Sequence, residues 1–148
     1  MVSKKRPIKS YVLRQGRMTA KQRYGMVQLW GRFGVDLQSG QHLNTQVLFP
    51  SEQPLVLEIG FGMGESLLRA AMGDPQRNYL GIEVHRPGVG SLLNEIQEAG
   101  ITNLKVICHD AVEVLSDYLS DEVIEECWIL FPDPWHKKTK AHSIFYII

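Results

Sequence analysis

Short apolar runs alternate with longer segments of helical spacing through the middle of the chain. The strand-like runs lie at residues 55–59, 79–83, 104–108 and 127–131. The segments with helical spacing between them lie at residues 65–72, 89–99 and 112–119. Such alternation is typical of a parallel sheet with helices on its faces. The pattern therefore predicts an α/β fold, with a Rossmann-like sheet that contains four parallel strands.

The first third of the chain shows a different pattern. Thr19 and Gln22 have the spacing of a capping box, and apolar residues follow at helical spacing, so we expect a short helix from about 19 to 31. Residues 34–54 show no strong period and indicate a loop. We divide the chain into a basic arm with a short helix (1–33), a linker (34–54), a core (55–138) and a divergent tail (139–148).

Composition narrows the class of protein. At 148 residues the chain is long enough for one domain with a sizeable core. It shows no secretory signal and no apolar run near 18 residues, so we expect a cytoplasmic protein that does not enter a membrane. Cys108 and Cys127 lie in apolar runs and are expected to be free, buried thiols. The five histidines show no paired metal spacing, so no metal site is predicted.

Charge is unevenly distributed although the formal net charge is zero. No acidic residue precedes Asp36, whereas many basic residues do. An arm of one sign is typical of a polyanion partner such as RNA, although a solvated basic tail has the same composition. The basic residues up to Trp30 are Lys4, Lys5, Arg6, Lys9, Arg14, Arg17, Lys21 and Arg23.

A glycine-rich turn follows the first predicted strand, in the sequence Glu58-Ile59-Gly60-Phe61-Gly62-Met63-Gly64. Strand, glycine turn and helix together form a ligand-binding unit in many α/β folds, although a tight turn without a ligand is the alternative. Dinucleotide-binding turns have the spacing G-x-G-x-x-G, and here Glu65 occupies the third glycine's place. An acidic residue such as Glu58 disfavours pyrophosphate and favours S-adenosylmethionine (SAM), which has an ammonium and a sulfonium group.

Acidic residues follow the predicted strands at one edge of the sheet. Each residue alone has an alternative role as a helix N-cap or a solvated turn residue. Because the carboxyl ends of parallel strands form the ligand crevice, we expect all of them to converge on one site that takes a cationic ligand rich in hydrogen-bond donors. These residues are Glu58, Glu83, Asp110 and Asp133.

Several motifs together resemble those of the bacterial tRNA (guanine-N7)-methyltransferases, a family of class I SAM-dependent methyltransferases. The resemblance lies in residues 14–19, 57–64, 81–85, 109–111 and 131–138. It implies methyl transfer from SAM to N7 of guanine 46 in tRNA. By matching motif it implies that Asp133 is catalytic, that Lys137 contacts the substrate, and that SAM is bound by Glu58, Gly60, Gly62, Glu83, Asp110 and Asp133.

The guanine N7 atom has a free lone pair and no proton, so its methylation requires placement and favourable electrostatics rather than a base. Trp135 is expected either to stack on the substrate or to pack over the end of the fourth strand. Lys137, Lys138 and Lys140 form a second basic cluster that is suited to phosphate.

The end of the chain departs from the family pattern after Lys138. Residues 139–148 have an apolar ending that an early stop or a shifted reading frame would produce. We therefore expect the family's C-terminal strands to be missing, the fourth strand to have an unpaired edge, and activity to be weak or absent. A non-catalytic SAM- or RNA-binding fragment is the alternative, and a SAM enzyme for a small molecule or a protein is a third, disfavoured class.

Overall fold

A five-stranded sheet in the order β3-β2-β1-β4-β5 forms the centre of the computed structural model, which describes residues 16–131 and 143–147. Strands β1 to β4 are parallel, and β5 is antiparallel to β4. The predicted α/β fold with four parallel strands is confirmed. The strands are β1 (Leu55–Ile59), β2 (Asn78–Ile82), β3 (Leu104–Ile107), β4 (Ile124–Phe131) and β5 (Ser143–Ile147).

Helices of very different length surround the sheet. The first helical segment combines α1 (Ala20–Tyr24), a π-helical turn (Gly25–Leu29) and α2 (Trp30–Phe33), which together we call the arm helix. The others are α3 (Thr45–Leu48), α4 (Glu65–Gly73), α5 (Arg86–Ala99) and α6 (Ala111–Glu113), which continues into a π-helical turn (Val114–Tyr118); a 3-10 turn (Asp121–Val123) precedes β4.

The sheet buries apolar residues on both faces, because successive strand residues point to opposite sides. On one face Val56, Tyr79 and Leu104 pack with residues of α4, α5 and the arm helix. On the other face Leu57, Leu80 and Ile107 pack with residues of the 34–54 segment and with Val114. Both faces are covered, as a parallel sheet requires.

Local hydrogen bonds and backbone conformation explain where α1 begins and where α5 ends. Thr19 Oγ1 accepts a hydrogen bond from the Gln22 N–H at 3.1 Å, and Gln22 Oε1 accepts one from the Thr19 N–H at 2.9 Å, so the predicted capping box is confirmed. The predicted end of α5 at Gly100 is also confirmed, since this residue adopts a left-handed conformation with φ of 67°.

Residues 34–54 are packed more closely than a loop prediction implies. The Val35 N–H donates to the Val106 carbonyl oxygen at 2.8 Å, so this segment covers part of the free edge of β3. Val35 and Phe49 are buried, and α3 lies between these two residues along the chain. Isolated apolar residues give no period, and their burial is decided by tertiary contacts.

The prediction that β4 has an unpaired edge is wrong. Ser143–Ile147 forms β5 and pairs antiparallel with β4, in a register that places Cys127 opposite Ile147. The short apolar run at residues 143–147 has the β-branched and aromatic composition that favours a strand. Its backbone pairs with the edge of β4 that was expected to be open. β4 also begins at Ile124, earlier than the predicted Cys127.

Within the described ranges, none of the helices combines the length and apolar character that crossing a membrane requires. Cys108 and Cys127 are free thiols in the described part of the chain, and both are partly rather than fully buried.

Candidate functional site

The glycine turn after β1 forms the base of the candidate site. Gly60, Gly62 and Gly64 have φ values of 73°, 64° and 83°, a conformation that side-chain-bearing residues rarely adopt. The Gly60 N–H donates to the Ile82 carbonyl oxygen at 2.8 Å, which holds the turn against the end of β2. The turn therefore lies at the carboxyl edge of the sheet, where ligands of α/β folds bind.

Glu83 is the first residue after β2, and its carboxylate is held against this turn. Oε1 accepts a hydrogen bond from the Gly62 N–H at 3.2 Å, and Oε2 accepts one from the Val84 N–H at 3.0 Å. Burial raises the pKa of Glu83, while these two backbone bonds and nearby His85 act in the opposite direction. The structure thus brings together Glu83 and the glycine turn, both of which the sequence assigned to one site.

Glu58 lies in β1, just before the turn, and is almost completely buried at 1% exposure. In register it lies between Gly81 of β2 and Trp128 of β4. Its Oε2 atom has no hydrogen-bond partner among the described residues. Burial raises the pKa of this carboxyl to about 7. An unpaired buried carboxylate is costly, so this position fits a ligand that provides a cation or a hydrogen-bond donor.

Asp110 follows β3 and caps α6. Its Oδ1 atom accepts a hydrogen bond from the Glu113 N–H at 3.1 Å, and the residue is buried at 4% exposure. The helix-cap role considered for each acidic residue is therefore present at Asp110. The predicted contact of Asp110 with a ligand stays a prediction.

A pocket of about 110 Å³ lies at the ends of β1, β2 and β3. Drug-sized ligands occupy pockets of roughly 300–1,000 Å³, so this one matches a single ring system better than a whole nucleotide-like ligand. Its lining combines apolar and polar side chains and includes His109, to which the sequence analysis assigned no role. The lining residues are Ile59, Gly60, Ile82, Glu83, Val84, His109 and Ala111.

The remaining predicted site residues, Asp133 and Lys137, lie outside the described residues, as do Trp135, Lys138 and Lys140. Their roles stay predictions. In the part of the chain that the structure describes, no group of three or more His, Cys, Asp or Glu side chains is placed to hold a metal ion.

Comparison with known proteins gives a family match and close relatives. A family model described as "Putative methyltransferase" matches residues 52–145. The tRNA (guanine-N(7)-)-methyltransferase of Alcanivorax borkumensis is 50% identical over 138 residues, which are 93% of this chain and 57% of that protein. The protein of the same name from Vibrio cholerae is 50% identical over 133 residues, which are 90% of this chain and 55% of that protein. The chain thus spans little more than half the length of these relatives.

A solved structure, described as that of an antibiotic-related methyltransferase, has a similar fold. Its TM-score is 0.51 at 20% sequence identity, over 66% of this chain and 48% of the other. At that identity the likeness concerns the arrangement of strands and helices. The family model, the two relatives and the solved structure all concern methyltransferases.

Proposed function

Because this chain belongs to the family of methyltransferases whose model matches residues 52–145, we propose that it transfers a methyl group from SAM to N7 of guanine 46 in tRNA. The observation that carries the proposal is the identity of about half of all aligned residues to proteins named tRNA (guanine-N(7)-)-methyltransferase. The geometry at the carboxyl edge of the sheet supports the cofactor part of the proposal.

The residues at this edge have the chemistry that SAM requires. SAM supplies an electrophilic methyl group on a sulfonium, together with an ammonium group and an adenosine. The buried Oε2 of Glu58, which has no hydrogen-bond partner within residues 16–131 and 143–147, can accept from a cationic or donor group, and the glycine turn at Gly60 and Gly62 leaves backbone accessible beside it. Glu83, fixed by two backbone N–H groups, accepts from the ribose hydroxyls.

The adenine ring is assigned to the pocket between Val84 and Ala111, whose apolar side chains suit the faces of a purine. Asp110, which follows β3 and lies beside the lining residues His109 and Ala111, is assigned to the adenine amino group. In this arrangement each of the first three parallel strands contributes one acidic side chain to the cofactor.

The nucleophile in this proposal needs no general base. Guanine N7 already has a lone pair, so the protein's contribution is alignment and electrostatic stabilisation. We assign Asp133 to the guanine as the catalytic carboxylate, Lys137 to the tRNA substrate, and Trp135 to stacking.

Transfer of a labelled methyl group from SAM to unmodified tRNA tests the proposal. The assay compares this 148-residue chain with a version extended to the length of its relatives. The expected product is N7-methylguanosine, located at position 46 by nuclease digestion and mass spectrometry. Asp133→Asn, prepared in the active version, is expected to lower the rate strongly while SAM still binds.

A product at another base or another atom would overturn the assignment of the substrate. Absence of transfer by both versions, with SAM and tRNA binding intact, would favour the alternative of a non-catalytic binding protein.

A further inference from the structure

We propose that His109, oriented by Glu113, contacts the purine of the bound nucleoside cofactor and selects adenine by accepting a hydrogen bond from its amino group. This inference rests on the proposed use of SAM. It adds a specificity-determining role for His109, a residue that lies in the 109–111 motif but to which neither the motif nor the comparisons assign a function.

The composition of the pocket leaves few side chains that can read the edge of a base. Only Glu83 and His109 have polar side chains among the seven residues that line it. Both oxygens of Glu83 already face the glycine turn and the start of the next segment, at Gly62 and Val84. His109 follows β3, whereas the glycine turn follows β1, and β2 lies between these two strands in the sheet. His109 and the turn therefore lie on opposite sides of the pocket. His109 is thus the polar side chain placed for the base, whereas Glu83 is placed for the sugar.

A neighbouring residue fixes the orientation of the His109 ring. Its Nε2 atom lies 2.6 Å from Glu113 Oε2, one helical turn further along the chain. The ring also meets Tyr118 edge-on, with 6.1 Å between centroids and an angle of 84° between planes. The side chains of His109 and Glu113 are 38% and 41% exposed. Exposed pairs of this kind contribute little to the free energy of unfolding, so the contact matters here for the ring orientation that it favours.

The contact with Glu113 also determines what the other ring nitrogen can do. An ionised carboxylate only accepts hydrogen bonds, so Nε2 donates its N–H to Glu113. In the neutral ring Nδ1 is then a bare acceptor. The amino group of adenine has two N–H bonds, so it can donate to His109 and to Asp110 together. A base with a carbonyl oxygen at that position would instead place an acceptor against an acceptor.

The test is isothermal titration calorimetry on the full chain with S-adenosylhomocysteine and S-inosylhomocysteine, in which a carbonyl replaces the adenine amino group. The wild type is expected to prefer the adenosyl compound. His109→Phe keeps an aromatic ring and is expected to reduce that preference roughly three- to tenfold, the range for one hydrogen bond. Glu113→Ala, which leaves the ring free to rotate, is expected to reduce it by a smaller factor.

Glu98→Ala removes an exposed helix glutamate that contacts Lys21 instead of the pocket, and is the matched control. Thermal unfolding of each variant separates a folding defect from a binding effect, and Glu113→Ala retains the histidine if His109→Phe is unstable. An unchanged preference in both variants would overturn the role of His109 while leaving the proposed function intact. Failure of the wild type to bind S-adenosylhomocysteine would instead overturn the proposed use of SAM.

Discussion

At the scale of single residues, Glu58 shows a conflict between stability and ligand binding. Its carboxyl is buried at 1% exposure, and burial raises its pKa from 4.5 to about 7. The folded state therefore keeps a proton that the unfolded chain loses as pH rises through that window. Consequently the contribution of Glu58 lowers the free energy of unfolding progressively as pH rises from 4.5 to 7. At about 1.36 kcal/mol per pKa unit, the total loss above pH 7 is roughly 3 kcal/mol.

Glu58→Gln should remove this pH dependence. We expect the variant to be more stable than the wild type at pH 8 without ligand, to approach it at pH 5, and to bind SAM more weakly. Urea unfolding at several pH values measures the first effect, and calorimetry measures the second. Glu52→Gln, a change in an exposed glutamate, is the control. Parallel pH profiles for wild type and Glu58→Gln would contradict the prediction.

Glu83 differs from Glu58 because backbone donors already satisfy part of its carboxylate. Glu83→Ala removes the proposed ribose acceptor and also releases the Gly62 N–H. Each lost charge-assisted hydrogen bond costs roughly 1.5–3 kcal/mol, so the affinity for SAM should fall by at least about tenfold. Titration calorimetry of Glu83→Ala beside Glu98→Ala measures this loss. Equal SAM affinity in wild type and Glu83→Ala would contradict this placement of the cofactor.

At the scale of secondary-structure elements, α5 packs directly on the glycine turn. A Cβ atom added to Gly88, in the first turns of α5, would lie 2.1 Å from the Gly62 carbonyl oxygen, so the backbone would have to move. Gly88→Ala should therefore weaken SAM binding and destabilise the fold by about 1–3 kcal/mol, the usual cost of overpacking.

Gly31→Ala is the matched control for Gly88→Ala, because a Cβ atom at this helical position meets nothing within 4 Å. It should be neutral or should stabilise the chain by up to about 1 kcal/mol. Denaturant unfolding and SAM titration of both variants test the difference. If Gly88→Ala behaves like Gly31→Ala, the turn does not depend on its contact with α5.

Helices and strands whose positions depend on neighbouring residues in the chain could be predicted from the sequence. Apolar runs located β1 and β3, the capping box located the start of α1, and Gly100 located the end of α5. The two π-helical turns have no sequence period of their own, and the pairing of β5 with β4 depends on contacts between distant residues. The same limit applies to His109, since its place in the pocket follows from β3 lying next to β2.

At the scale of the whole molecule, the arm helix is joined to the core through α5. Gln22 Nε2 donates to Ser91 Oγ at 3.0 Å, and Asn94 Nδ2 donates to the Lys21 carbonyl oxygen at 2.7 Å. Lys21 Nζ also donates to Glu98 Oε1 at 2.9 Å. These contacts fix the start of the helix, and with it Arg17 and Arg23, relative to the same α5 that contacts the glycine turn. The described part of the arm is therefore attached to the helix that packs against the candidate site.

This arrangement gives a prediction for tRNA binding. Neutralising phosphates releases counterions, so log affinity should fall linearly with log salt, with a slope that changes by up to roughly 0.9 for each phosphate contact. Deleting residues 1–17 removes six basic side chains and no acidic one, so it should make the slope shallower. Replacing the same six residues by Gln, with the length kept, should have the same effect if charge is responsible.

Binding of unmodified tRNA, followed by fluorescence anisotropy at several salt concentrations, measures the slopes. A slope equal to that of the wild type in both variants would mean that the arm does not contact the phosphate backbone, and a change in the deletion alone would assign its effect to the segment rather than to its charge. The residues concerned are Lys4, Lys5, Arg6, Lys9, Arg14 and Arg17.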